Sequence, residues 1–499
     1  MPLRFRTLAA LVTLALAAGL SACALNPESG RPQTVFMTEE GEIRQGEEAA
    51  EEVAKHLGLV EDAALNEYVD QIGQRLAEQS ARAELEWHFH IVEMNERNAF
   101  ALPGGYIYVS RVLLAYTNDE AELANVIGHE IGHVSARHSV TRQTRGVMVS
   151  PVFIAAGLGG WAASIVSPTL GNVIAGTGAL PGALALAQYS RGQERQSDEL
   201  GQGYAAKAGW DPMGMSTFMT TLARETELEG RDPNRMSFFD SHPPSPERAA
   251  ETKKHAAKLE QAEPPFSIAG DHAGYLAKLD GIVVGTPARE GTFIDDRFLH
   301  ADMGFGLAFP PEWEKVNAHT FVAAQDEGLR AAFVLKLASD DGDAMKAAQS
   351  FADEFGLKEG PTEIDVNGLK AVTGSHIEGR GDAATRADLT WIALDGYVFQ
   401  LAGVGPLTAW KTLGPLFESS ATSFHRLNAD ERKEIHEDRL RIVKAKEGET
   451  LEQLVERTES VWDAKHVAVA NGLAEDVTLS AGQPVKVTKS EHYAAPARP

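Results

Sequence analysis

The chain has 499 residues, 71 Asp and Glu against 46 Lys and Arg, and a formal net charge of -25 at pH 7. That acidity excludes an electrostatic nucleic-acid binder and attachment to anionic lipid through basic residues. A single cysteine excludes a disulfide-held fold, and the length allows roughly two to four domains with cores of their own.

Arg4 and Arg6 precede the apolar run Leu8 to Leu20, which is too short to span a bilayer and suits the core of a secretory signal. The run ends in Leu20-Ser21-Ala22-Cys23, which resembles a bacterial lipobox, and Cys23 is the chain's one cysteine. The resemblance implies a signal peptide over 1–22, lipidation of Cys23, and a lipid-anchored tether over 23–40. Several acyl chains hold a protein firmly to a membrane. Ala24 after the cysteine points to the outer membrane, facing the periplasm.

Alternation in Leu85 to Ile91 and in Tyr106 to Val109 predicts two strands, with Pro103-Gly104-Gly105 as the turn between them. An edge strand here, carrying Asn98, Gly104 and Gly105, could pair with the backbone of an extended substrate. The plainer reading is a structural hairpin.

In Glu120 to His138, Leu123, Val126, Ile127, Ile131 and Val134 recur at helical spacing. Thr117-Asn118-Asp119-Glu120 has the form of a capping box and predicts the helix start. The helix carries His129-Glu130-Ile131-Gly132-His133. Residues four apart share a face, so both imidazoles can reach one cation while Glu130 stands beside it as a base. A catalytic zinc needs a third protein ligand and an open position. Ser139 and Ala136 exclude the pattern in which a third histidine follows ten residues after the first, and His138 points off the ligand face. No acidic residue occurs from Val134 to Gln193; the next are Glu194 and Asp198, four apart. That spacing suits one carboxylate on the metal and one orienting a ligand imidazole, or equally a charged helix surface. Residues 146–190 hold no charge, and Pro151, Pro168 and Pro181 leave no piece long enough to span a bilayer. They are expected to cover the active site or dip into a membrane face.

His-Glu-x-x-His followed by Glu194-x-x-x-Asp198, with Asn98 to Val109 before it and Ser241-His-Pro-Pro-Ser-Pro-Glu-Arg248 after it, resembles the zinc metallopeptidase clan of CAAX prenyl endopeptidases, HtpX-like proteases and periplasmic beta-barrel-assembly-enhancing proteases. The resemblance implies one Zn2+ per chain on His129, His133 and Glu194, with Glu130 as catalytic base. It implies Asp198 as partner to a ligand imidazole, and His242 and Arg248 as catalytic groups holding the oxyanion. His242 could alternatively close over the metal at rest. Read alone, 240–248 is an exposed loop.

The peptidase domain is expected over 41–263 and a connector over 264–296. An α+β domain of unknown role follows over 297–428, with strands at 331–337, 387–394 and 397–401 and a helix at 343–355. Residues 438–488 resemble a LysM module of strand-helix-helix-strand order, which implies peptidoglycan binding; Trp462 is its one candidate for stacking on sugar. Residues 489–499 are expected to be a loose tail. The fold class is thus α+β multidomain: a mainly helical zincin-type domain with a small sheet, an α+β domain and a βααβ module. The function expected is a lipid-anchored periplasmic endopeptidase acting on misfolded or stalled envelope proteins in quality control and outer-membrane assembly. The alternatives are a murein peptidase and a scaffold with a latent zinc site.

Overall fold

The computed structural model describes residues 23–35, 37–144, 189–229, 242, 246–326, 328 and 330–496. The signal peptide and nearly all of the uncharged stretch 146–190 lie outside them. No helix among the described residues is long and apolar enough to cross a membrane.

A short antiparallel pair (β1, Cys23–Leu25; β2, Pro32–Thr34) opens the chain, followed by α1 (Glu39–Leu57) and α2 (Ala63–Ala77). A three-stranded sheet follows: β3 (His88–Val92), β4 (Ala99–Leu102) and β5 (Tyr106–Ser110). Then come α3 (Arg111–Tyr116), the motif helix α4 (Glu120–Ser135), α5 (His138–Thr144), α6 (Arg191–Ala208), α7 (Gly214–Glu229) and α8 (Pro246–Ala256). The predicted two-strand hairpin is corrected here. β5 is central, parallel to β3 and antiparallel to β4, so the open edge belongs to Ala99–Leu102. Gly104 and Gly105 are buried rather than set on that edge. Both have positive φ, and added Cβ atoms would lie 2.8 Å from Ile43 Cα and 2.6 Å from Glu86 O, so packing demands glycine there.

The motif helix also starts differently from the sequence reading. Asp119, not Thr117, is its N-cap, accepting from Glu122 N at 2.7 Å, while Glu122 Oε2 accepts from Asn118 N at 2.7 Å. Thr117 instead bonds to Leu114 O. The first helical residue, Glu120, is buried, and its carboxylate accepts from Tyr68 Oη, Trp210 Nε1, Ile268 N and Ala269 N at 2.7–2.8 Å. Four donors, together with the helix N-terminus, satisfy a buried charge and pin α4 within the core. Leu123, Val126, Ile127, Ile131 and Val134 all lie in that core, as the periodicity predicts.

The same core takes in parts of the chain read as separate. Asn26 and Glu28 of the expected tether reach Ala136 O and Ser135 at the far end of α4 and Tyr204 of α6. Within 264–296, α9 (His272–Leu279) buries Tyr275, Leu276 and Leu279 in it.

The second body holds two sheets. β6 (Thr292–Ile294), β7 (Arg297–His300) and β8 (Phe305–Ala308) form a small sheet that a late strand completes. The larger, antiparallel sheet draws on β9 (Glu314–Ala318), β10 (Phe321–Asp326), β11 (Ala331–Ser339), β12 (Glu359–Val366), β13 (Leu369–Glu378), β14 (Thr385–Leu394) and β15 (Tyr397–Pro406). Its order is β12-β13-β14-β15-β11-β10-β9. α10 (Ala344–Phe355) packs on one face beside Trp391, and α11 (Trp410–Thr422) on the other beside Phe333. β16 (His425–Arg426) completes the small sheet, and α12 (Ala429–Glu434) leads into the C-terminal region.

β17 (His436–Lys444), α13 (Leu451–Thr458), α14 (Ala464–Ala470) and β18 (Pro484–His492) form a βααβ unit whose strands pair antiparallel. β18 continues into the stretch read as tail, and Tyr493 bonds to Ile435 O and Asp302. This unit is docked on the core around the motif helix: Leu440 and Ala470 are part of it, and Trp462 packs against Tyr116 at 5.7 Å. Lys486 is fully buried, its Nζ donating to Ala115 O at 3.0 Å and Thr117 O at 2.8 Å, just ahead of α4. Burial pushes this ammonium down to about 7, with Glu122 and Asp119 pulling the other way. Lys486→Met strips both carbonyls of their donor and is expected to lower unfolding stability by about 2–4 kcal/mol. Urea unfolding of the full chain checks this, and an unchanged midpoint would contradict the docking.

Candidate metal centre

The site forms where α4 crosses α6, and glycines set how close the helices come. A Cβ at Gly128 would lie 2.9 Å from Gly201 O, one at Gly201 2.6 Å from His129 N, and one at Gly132 3.2 Å from Ser197 Cα. Those neighbours are backbone and cannot yield. Backbone-to-backbone contact on this side brings residues of α6 directly over the two histidines.

His129, His133, Glu194 and His242 meet there, all buried, each offering one donor atom within 4.8 Å of the others. His129 Nε2 lies 3.0 Å from His133 Nε2 and 3.1 Å from His242 Nδ1. Glu194 Oε1 lies 3.2 Å from His242 Nδ1 and 3.4 Å from His133 Nε2, and Glu194 Oε2 lies 3.7 Å from His129 Nε2. Four donors on a tetrahedral ion with bonds of about 2.0–2.1 Å stand about 3.3 Å apart, so the spacings fit.

Proton placement gives a second test. His129 Nδ1 faces Asp198 Oδ1 at 2.9 Å, an ion-pair distance without hydrogen-bonding geometry, and the carboxylate's charge favours the tautomer with the proton on Nδ1 and the lone pair on Nε2. His138 Nε2 donates to Gln196 Oε1 at 3.3 Å, which leaves His138 Nδ1 to accept from His133 Nδ1 at 3.1 Å. His133 Nε2 is then also a lone pair. Two lone pairs 3.0 Å apart repel unless a cation lies between them. Burial holds the His133 imidazole neutral, far below its ordinary pKa. Burial alone would raise Glu194, but His242 and His133 hold its carboxyl well below the usual range. The residues fit a divalent metal ion.

Glu130 is wholly buried, and its carboxylate oxygens make no hydrogen bond among the described residues. His242 Nε2 approaches Oε1 to 3.3 Å, an ion-pair distance without hydrogen-bonding geometry. Burial pushes the Glu130 carboxyl above its ordinary range, with His242 and His129 opposing. A raised carboxyl with free acceptor capacity is suited to taking a proton from a small molecule beside the cluster.

Other expected residues land differently. Arg248 was read as an oxyanion group, but Nε and Nη2 grip Asp198 at 2.9 and 2.8 Å, and Nη1 reaches Glu194 Oε2 at 2.9 Å and His242 O at 3.2 Å. It braces both carboxylates. His242, part of a segment that read as an exposed loop, is buried with a nitrogen among the donors. Cys23 lies in β1, distant in sequence from every one of these groups.

Sequence reasoning missed Tyr189, whose ring stacks on His133 at 3.8 Å, and Gln196, which orders the His138 relay. Neither has a motif. The glycine contact was visible as Gly128-x-x-x-Gly132, a small-residue stripe whose partner Gly201 could not be identified without the fold. Gly201→Ala gains about 1 kcal/mol of helix propensity but forces about 1–3 kcal/mol of overpacking against backbone. It is expected to weaken divalent-metal binding at least about tenfold by parting the ligand-bearing helices. Competition with a chromophoric chelator reads this, and parental affinity in the variant would contradict the crossing geometry.

Residues 63–256 match the sequence model of peptidase family M48. The chain is 27% identical over 240 residues to the beta-barrel assembly-enhancing protease of Yersinia pestis, an alignment covering 47% of this chain and 48% of that one. It is 34% identical over 167 residues to the metalloprotease LoiP of Escherichia coli, covering 32% and 60% of the two chains. With the mitochondrial metalloendopeptidase OMA1 of Schizosaccharomyces pombe it shares 29% over 247 residues, covering 48% and 67%. The chain spans about half the length of the beta-barrel assembly-enhancing proteases it matches. The matched segment contains both crossing helices and every donor of the cluster, so over these residues the chain is similar to the metallopeptidases of family M48.

Proposed function

We propose that this protein is a zinc-dependent endopeptidase of the bacterial envelope, tethered through lipidated Cys23, that cuts misfolded or stalled envelope proteins during outer-membrane assembly. The single observation that carries the chemistry is the buried donor cluster with an unbonded carboxylate, Glu130, at its side. Relatives named for beta-barrel assembly support the setting.

His129, His133 and Glu194 are assigned as the protein ligands. A zinc ion there supplies Lewis acidity and lowers the pKa of water. Glu130 takes the proton of the attacking water and returns it to the leaving amine. Asp198 holds the His129 ring in its ligating tautomer, and Arg248 fixes Asp198 and Glu194 in turn. The open edge of β4, just after Asn98, offers backbone groups to an extended substrate, which suits unfolded segments of many sequences.

His242 gives the cluster a fourth donor, whereas a catalytic zinc keeps one position open. This arrangement is assigned as a resting state in which His242 occupies the substrate's place. The LysM-like unit is assigned to packing: its candidate sugar-stacking residue, Trp462, lies against Tyr116. Peptidoglycan binding and murein cleavage are the second reading, tested in the same assay.

Casein and an unfolded porin, incubated beside purified murein with and without chelator, are expected to show chelator-sensitive loss of the proteins and intact murein. Release of murein peptides alone would transfer the site to the cell wall. Glu130→Gln is expected to keep one zinc per chain and lose at least about a hundredfold in rate; undiminished cleavage would remove Glu130 as the base. His242→Ala is expected to raise the initial rate on casein. A fall of the size seen with Glu130→Gln would instead make His242 an oxyanion group.

A further inference from the structure

The stretch read as a tether, 23–40, is held against the core almost from its start. Asn26 is 7% exposed; its Nδ2 donates to Ala136 O at 3.2 Å, and its Oδ1 accepts from Glu28 N and Ser29 N at 3.0 Å, closing a turn. Glu28 Oε1 accepts from Ser135 Oγ of α4, Tyr204 Oη of α6 and Ala81 N. One carboxylate thus touches both helices that carry the metal ligands. Further on, Thr141 Oγ1 donates to Gln33 Oε1 at 3.3 Å, Val35 is buried, and Arg137 Nη2 donates to Met37 O at 3.0 Å. Between Cys23 and this clamp stand only Ala24 and Leu25, and their strand, β1, is itself paired to β2.

These contacts limit how far Cys23 lies from the metal centre. Residues 23 to 26 span at most about 11 Å when fully extended. Ala136, whose carbonyl takes Asn26, follows His133 by three residues, about 4.5 Å along the helix axis. With the intervening side chains included, Cys23 lies no more than about 3 nm from the His133 ring, whereas a loose 23–40 stretch reaches about 6 nm. The surface beside Cys23 also differs from the rest of this acidic chain. Of its 71 acids, residues 23–37 hold one, Glu28, which is turned inward, and the same residues carry one base, Arg31. Leu25 is 63% exposed, a position that water disfavours and the boundary of a lipid layer favours.

We propose that this end of the molecule docks on a lipid surface through acylated Cys23, and that the clamp on Asn26 and Glu28 keeps the metal centre within about 3 nm of that surface. The substrates it meets are then polypeptide segments lying on a membrane or emerging from it, ahead of chains free in solution. A long loose tether spreads an enzyme through a large volume, and effective concentration falls steeply with its length; a short clamped one concentrates the site on chains held at the same surface. This placement rests on the lipidation and peptidase readings above, and adds to them the height of the site and the class of substrate it reaches.

The full chain is expressed in a bacterium that processes lipoproteins, and the mass of its N-terminal peptide is read for acyl chains on Cys23. Acylation occupies the chain's one thiol, so Arg191→Cys, at the exposed start of α6, takes a fluorescent donor at a single place. Energy transfer is measured to an acceptor lipid in phosphatidylcholine vesicles. A twenty-residue Gly-Ser insertion between Leu25 and Asn26 leaves the clamp in place, adds about 2–3 nm of mean reach and is expected to lower transfer at least about twofold. Asn26→Ala with Glu28→Ala, which releases the same segment, is expected to lower it too. Cleavage supplies a ruler: along a sixty-residue unfolded repeat fixed to vesicle lipid at one end, the parent is expected to cut in the half nearest the lipid, and the insertion variant to spread its cuts into the far half. Unaltered transfer in either variant, a cutting pattern that the insertion leaves unchanged, or a Cys23 peptide without acyl chains would each overturn the proposal. Failure of the parent to cut casein in solution would sink the peptidase reading alone, with energy transfer still deciding the placement.

Discussion

The approach of two helix backbones at Gly128, Gly132 and Gly201 is the constraint from which the site follows. Metal ligation requires donors on separate helices to meet within about a third of a nanometre, and a side chain at the crossing would hold them apart. Helices usually gain from Ala over Gly, so three helical glycines concentrated here mark a geometric need. Once the helices touch, Glu194 is over His129 and His133, and Asp198 is beside the ring it orients. Arg248 and the His138 relay then fix carboxylates and tautomers, so that the Nε2 lone pairs of His129 and His133 both point inward.

Much of this was legible because helical spacing is a strong signal. The His-Glu-x-x-His face, the buried stripe from Leu123 to Val134 and the shared face of Glu194 and Asp198 all follow from residues three or four apart. The main strands of the second body were legible from alternation. What failed was long-range and local at once. Nothing near Glu120 in sequence foretells that Ile268 and Ala269 will cap its carboxylate, and β4 was hidden because four residues beside a tight turn carry no period of their own. The resemblance singles out Arg248, and only the fold shows that its fork reaches Asp198 and Glu194.

The core around the motif helix draws on residues far outside 41–263. Lys486, more than three hundred residues from α4 in sequence, ends on the two carbonyls that precede it, and Leu440, Ala470 and Tyr275 fill the same core. The C-terminal βααβ unit is thereby built into the support of the motif helix. A buried ammonium bonded to backbone is a costly choice unless its partners need it, and here they are the carbonyls that would otherwise be orphaned.

The most direct measurement is the zinc K-edge absorption spectrum of the purified resting protein, paired with metal analysis. The account predicts one zinc per chain, with three imidazole nitrogens and one carboxylate oxygen at about 2.0–2.1 Å. Loss of one nitrogen on His242→Ala should follow, with the carboxylate retained. A metal held by oxygen alone, or a spectrum without the Glu194 oxygen, would contradict the claim that the helix crossing builds the site.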